Sequence, residues 1–115
     1  MSPNAKMRAL SIRHPFAEWI MTGEKDIEYR SRRTNLRERV YIYACKTPSH
    51  LEDYEDAGLE PADLPHGVLI GTVEIVDCVE GLGEFEWHLA SPERLKKPIA
   101  VKAIPQPGFF WPFGR

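Results

Sequence analysis

Gly23-Glu24-Lys25-Asp26-Ile27-Glu28-Tyr29-Arg30 is the stretch on which the reading of this 115-residue chain turns, because the periodicity changes there. Before it, His14-Pro15 opens a segment in which Phe16, Trp19 and Ile20 fall at i, i+3 and i+4, one apolar face of a short helix. Proline suits a first helical position, where its missing N–H would be unpaired anyway. Gly23 can take the left-handed conformation that ends a helix. After it, Ile27, Tyr29 and Ser31 alternate with Glu28, Arg30 and Arg32, up to Arg33. That period of two predicts a half-buried strand with its charged side chains sharing one face. The stretch therefore predicts helix, turn and strand, with Lys25 in the turn.

Working outward, Met7 to Ile12 reads as a first strand that ends at Arg13. Val40 to Cys45 repeats the alternation, with Val40, Ile42 and Ala44 opposed to Tyr41, Tyr43 and Cys45, all in strand-favouring company. Thr47-Pro48-Ser49 and the acidic residues up to Gly58 predict a capped surface helix, and Leu64-Pro65-His66-Gly67 a turn. Val68 to Val76 carries the strongest strand signal, and Gly71 within it predicts a bulge or a barrel corner. Ser91-Pro92-Glu93-Arg94-Leu95 reads as one helical turn capped by Ser91, and Ile99 to Ile104 as a further strand. Gln106 to Phe113, aromatic among prolines and glycine, reads as an irregular last strand that seals the barrel or, if exposed, as a dimer contact. There is no internal repeat and no linker. The expectation is a single α+β domain over residues 1–115, a small β-barrel of about five to six mostly antiparallel strands with two or three short helices.

Composition excludes several classes. A net charge of −2 argues against a histone-like protein, and 43% hydrophobic with 28% charged residues is ordinary for a soluble domain. No apolar run approaches the roughly 20 residues that span a bilayer. Met1 to Lys6 is polar, without an apolar signal core, and Cys45 and Cys78 read as reduced thiols, so a cytoplasmic protein is expected; monomer and weak dimer both stay open. No metal-ligand spacing, Walker A or Rossmann pattern occurs, so no cofactor and no metal are expected. The charge is unevenly placed. Arg30, Arg32, Arg33, Arg37, Arg39 and Lys46 stand against Glu38 alone, whereas Leu51 to Asp63 holds acids and no base. This suits a phosphate-bearing ligand, or else describes two solvated stretches that attract one another.

The candidate site follows from these placements. Lys25 can hold a phosphate or, desolvated, act as a base. Glu28 and Arg30, two apart on one strand face, either point together at a ligand or bridge. Arg13, ending the first strand, is expected at the same cleft. The alternative is an ion-pair network that fastens helix to barrel. Glu74 falls by alternation on the same face as Val68, Ile70, Thr72 and Val76, where an unpaired carboxylate becomes a candidate acid or base unless a bulge at Gly71 turns it outward. Trp87 and His88 read either as a stacking ring and a hydrogen-bonding partner for a base, or as a packing tryptophan beside a surface histidine. Tyr43 and Lys46 offer a stacking face and a phosphate contact.

Ala9-Leu10-Ser11-Ile12-Arg13-His14-Pro15-Phe16-Ala17 followed by Gly23-x-Lys25-x-x-Glu28-x-Arg30 resembles the ASCH family, whose signature is G-x-K-x-x-E-x-R after a strand ending in a basic residue and a short helix. Val40 to Ala44, Ile70 to Asp77, and Trp87-His88-Leu89 leading to Pro98-Ile99 extend the likeness in order from residue 7 to about residue 104, leaving 105–115 as an aromatic closing segment. Related sequences often have Gln and Trp where His14 and Phe16 stand, Arg-Gly where Glu38-Arg39 stands, and His in place of Tyr43. The resemblance implies a PUA-like barrel with a cleft lined by the signature residues, and RNA, single-stranded nucleic acid or a nucleotide as partner. Some relatives are hydrolases. One type deacylates acetylated cytidine with a lysine and a threonine three residues later; Lys25 matches the lysine, and Glu28 stands where the threonine would be. Another type has been described as a ribonuclease. The resemblance thus offers a binding domain whose cleft holds Arg13, Lys25, Glu28 and Arg30, or a hydrolase in which Lys25 with Glu28 or Glu74 activates a water. A protein-interaction module is the third alternative.

Overall fold

A computed structural model of the chain describes residues 4–47 and 49–114. Among these, the elements run β1 (Ala9–Ile12), α1 (Phe16–Thr22), β2 (Ile27–Arg30), β3 (Arg39–Ala44), α2 (Leu51–Ala57), a 3₁₀ turn at Pro61–Asp63, β4 (Val68–Glu80), β5 (Phe85–Ala100) and β6 (Phe109–Phe110). They form one sheet in the order β2-β5-β4-β3-β1-β6. Only β1 and β3 run parallel; every other neighbouring pair is antiparallel. The result is a small α+β half-barrel, as the strand pattern predicts. No helix among the described residues is long and apolar enough to cross a membrane.

The two ends of the sheet, β2 and β6, are joined by side chains rather than by a ladder. The Trp87 ring of β5 stacks on Phe109 of β6, centroids 5.3 Å apart and planes 3° from parallel. Arg30 Nη2 of β2 donates to the Ser11 carbonyl of β1 at 2.8 Å. Inside lie Leu10, Ile12, Ile20, Val40, Ile42, Val73, Ile75, Trp87 and Leu89. The opposite face of β1 and β3 is covered too, by the C-terminal aromatics: Tyr43 meets Phe110 and Tyr41 meets Phe113, both edge to face. This second layer is why β1 and most of β3 are buried on both faces.

α1 ends as expected at Gly23, with φ 86. At Gly71 a Cβ would press on Met21 Sδ and stand 2.7 Å from the Glu93 carbonyl, so glycine is needed where β4 and β5 approach across a bulge. The helical turn read at Ser91 to Leu95 is not formed; those residues lie inside β5. Thr72 pairs with Glu93 and Glu74 with Ala90, so Ser91 and Pro92 sit in a bulge opposite Val73. There proline need not supply a ladder N–H, and Ser91 takes φ 51. The long partner β4 overrides the local capping pattern. The strand read at Ile99 to Ile104 is likewise only the end of β5, which stops at Ala100. In the segment read as a capped helix, Pro48 lies outside the described residues, and His50, at the N-cap position of α2, makes no side-chain cap bond.

Among the described residues the two charged segments form no ion pair with each other. Arg33 reaches Glu80 and Arg37 reaches Asp77 on β4, while Arg39 reaches Glu93 on β5. Most of the basic run is thereby engaged along the barrel wall.

His14 and the loop before β4 form a buried polar latch. The His14 Nε2–H donates to the Pro65 carbonyl at 2.8 Å, leaving Nδ1 buried with no partner among the described residues. His66 donates from Nδ1 to the Leu64 carbonyl (2.9 Å) and accepts at Nε2 from the Tyr54 hydroxyl (3.1 Å). Burial pushes the His14 pKa below its ordinary 6.5, against the pull of the Pro65 carbonyl and with some help from nearby His66. The unfolded chain therefore binds this proton more readily than the fold does. Stability from neutral His14 is complete above pH 6.5 and is lost as pH falls below it toward the folded-state value. Thermal melts across that range should show a decline that His14→Gln removes.

Candidate functional site

Beside the side-chain seam lies a cleft of about 530 Å³. One wall is the end of β1, Ser11 to Arg13, with Phe16; a second is Glu28 and Arg30 of β2. Tyr43, Cys45, Lys46 and Thr47 continue from β3, and Pro105 to Gly108 closes the far side. That closing segment is tied to β1: Ser11 Oγ donates to the Gln106 carbonyl at 2.7 Å, and Ser11 N–H donates to the Gly108 carbonyl at 3.0 Å.

Glu28 organises the wall. Its Oε2 accepts from Arg30 Nε at 2.8 Å, and its Oε1 stands 3.6 Å from Lys25 Nζ. Arg30 also lies over the Trp87 ring, 5.6 Å from its centroid. The charged face of β2 is thus its inner face, and Tyr29, at 48% exposure, is the residue turned outward. Lys25 is not in the cleft. Its ammonium sits in a neighbouring recess, 5.8 Å from the Phe16 ring centroid and 5.3 Å from that of Tyr29.

Arg13 and Lys46 are exposed at the cleft and make no ion pair among the described residues. Burial pushes the Cys45 thiol up, although the guanidinium groups of Arg13 and Arg30 pull the other way. Cys45 is therefore a thiol rather than a thiolate at neutral pH. Burial, and then Cys45, also raise the Tyr43 hydroxyl. Among the described residues no group of three or more His, Cys, Asp or Glu side chains is placed to hold a metal ion.

This order of strand, short helix, Lys25 turn and Glu28–Arg30 wall coincides with a family pattern: the sequence profile of the ASCH domain matches residues 10–106. The chain belongs to the ASCH domain family. No curated protein sequence matches it. Solved structures resemble it in fold. The crystal structure of an ASCH protein from Zymomonas mobilis superposes with TM-score 0.65 at 17% identity, covering 94% of this chain and 88% of the other. A tyrosine-to-phenylalanine variant of that protein gives 0.63 at 17% identity, over 92% and 89% of the two chains. A serine-to-alanine variant gives 0.62 at 20%, over 96% and 90%.

Within this ASCH domain the sequence candidates separate. Arg13, Glu28, Arg30, Tyr43 and Lys46 come together at the cleft, and Lys25 joins them only through Glu28. Tyr43 is 2% exposed with Phe110 against its ring, so it has no free face for a base. Trp87 is interior: it stacks on Phe109 and donates Nε1–H to the Arg32 carbonyl at 2.9 Å. His88, opposite Ile27 in the β2–β5 ladder, meets Glu86 at 3.2 Å, outside the cleft lining. Glu74 is exposed and also outside that lining, because the β4 bulges break the alternation that placed it inward. Ser11, Phe16 and the 105–108 wall line the cleft without being among the sequence candidates for it. Ser11 had a faint signal in alternating with Leu10 and Ile12; a proline-rich wall has no periodicity to read.

Proposed function

We propose that this domain binds single-stranded RNA or a nucleotide, with phosphate held between Arg13 and Lys46 and the sugar or base beside Phe16 and Arg30. One observation carries this. The acid of the cleft, Glu28, has a cation at each oxygen, whereas Arg13 and Lys46 at the same cleft have no carboxylate partner among the described residues. Cations without counter-charge around a concave site favour a polyanion, and phosphate contacts of this kind position a ligand without reading its sequence.

Titration of the protein with a short single-stranded RNA at increasing salt tests it. Affinity should fall as salt rises, and Arg13→Ala or Lys46→Ala should each weaken binding several-fold and lower the log–log salt slope by about 0.7. Salt-independent binding, or binding indifferent to both substitutions, would refute the assignment.

A hydrolytic role is the second reading, favoured by the 3.6 Å contact between Lys25 and Glu28. It requires turnover of acylated nucleosides or RNA that disappears in both Lys25→Ala and Glu28→Ala.

A further inference from the structure

A second recess, of about 300 Å³, adjoins the cleft. The two share Phe16 as a common wall, and the Lys25–Glu28 ion pair joins their linings at a second point. Phe16, Trp19 and Tyr29 present three aromatic rings to it. Phe16 and Trp19 stand edge to face at 5.9 Å, which fixes their planes, and half-exposed Tyr29 comes from the edge strand. Its rim is acidic. Glu24 Oε1 is engaged by the Thr22 hydroxyl (3.1 Å), but the exposed Asp26 carboxylate has no ion pair or hydrogen bond among the described residues.

We propose that this recess is a nucleobase subsite, so that the ligand of the domain is an oligonucleotide with one base in the recess and its phosphate in the cleft. The inference rests on the cleft reading above and adds a ligand length and a base preference. Aromatic walls accept any base by stacking, because every base has a π-face. An uncommitted carboxylate adds discrimination: it accepts from the exocyclic amine of cytosine, as Asp and Glu do in base recognition, and uracil has no such amine to give. Lys25, lying against the Phe16 and Tyr29 rings, supplies a cation at the junction through which the ribose-phosphate chain would pass.

Calorimetric titration with a cytidine tetranucleotide, a uridine tetranucleotide and inorganic phosphate tests the subsite. The cytidine tetranucleotide should bind more tightly than the uridine one, and Asp26→Asn should bring the two close to equal. Trp19→Ala and the surface change Tyr29→Ala should each lower cytidine-tetranucleotide affinity about tenfold, leaving phosphate affinity unchanged. Arg13→Ala should weaken both tetranucleotides and phosphate. If the tetranucleotides bind Trp19→Ala and Tyr29→Ala as well as the parent while Arg13→Ala still weakens them, the subsite is overturned and the cleft stands. If Arg13→Ala and Lys46→Ala change the binding of none of the three, the cleft reading fails, and the subsite inference with it.

Discussion

Trp87→Ala is expected to lower the free energy of unfolding by about 3–5 kcal/mol, the range for removing a large buried aromatic side chain. Trp87 is 5% exposed and sits where β5 meets β6. Its removal takes away the stacking partner of Phe109, the aromatic surface under Arg30, and the donor to the Arg32 carbonyl. Domains of this size are stable by only about 5–15 kcal/mol, so the variant should lose a large share of its stability. Trp87→Phe keeps a ring against Phe109 but loses the Nε1–H bond, and should cost about 1–2 kcal/mol. Urea denaturation of the three proteins measures both steps. A Trp87→Ala protein of nearly parental stability, with reduced RNA affinity, would instead put the ring in a ligand site.

Arg30→Ala is expected to affect both stability and binding. One guanidinium engages Glu28 and the Ser11 carbonyl, each at 2.8 Å, from a strand at the edge of the sheet. Removing it leaves a mostly buried carboxylate with only Lys25 at 3.6 Å and a β1 carbonyl without its donor. The partial exposure of the pair, 24% for Arg30 and 12% for Glu28, keeps the loss below that of a fully buried pair, at about 2–3 kcal/mol. RNA affinity should fall about tenfold, because the cleft loses a cation and Glu28, left with Lys25 alone, would repel phosphate. Arg30→Lys keeps the charge beside Glu28 and should restore most of the binding but less of the stability, since one ammonium nitrogen does not reproduce the separate Nε and Nη2 contacts to the Glu28 carboxylate and the Ser11 carbonyl. Denaturation midpoints and RNA titrations on the same samples check the two effects.

Much of the domain is legible in the residues themselves. The helix stop at Gly23, the period-two run after it and the alternation of Val40 to Cys45 are local signals, and local geometry honours them. They place Glu28 and Arg30 on one face without saying which face is inside. That is decided by Trp87 and the Ser11 carbonyl, which arrive from distant parts of the chain. Ser91-Pro92-Glu93 shows the opposite case, a sound capping pattern overruled because β4 offers a continuous ladder and a bulge that tolerates proline. Glu74 was ambiguous for the same reason, since each bulge shifts the phase of an alternating pattern. The apparent attraction between basic and acidic segments dissolved because Asp77, Glu80 and Glu93 lie nearer to the arginines in space than the acids of α2 do. The wall at Pro105 to Gly108 is placed by its tether to Ser11, a contact across 95 residues that no local pattern encodes.

The seam between β2 and β6 has a thermodynamic corollary. A closed hydrogen-bonded cylinder has no open flank for a ligand to bridge, but here the flank is fastened by one arginine fork and one ring stack. A molecule lodged between Arg30 and the 105–108 segment would span the early and late parts of the chain and act as an additional cross-strut. Occupancy and structural integrity should then rise together, so that a true ligand raises the melting temperature in proportion to the logarithm of its concentration. The open side of the barrel would in this way report on its own ligand.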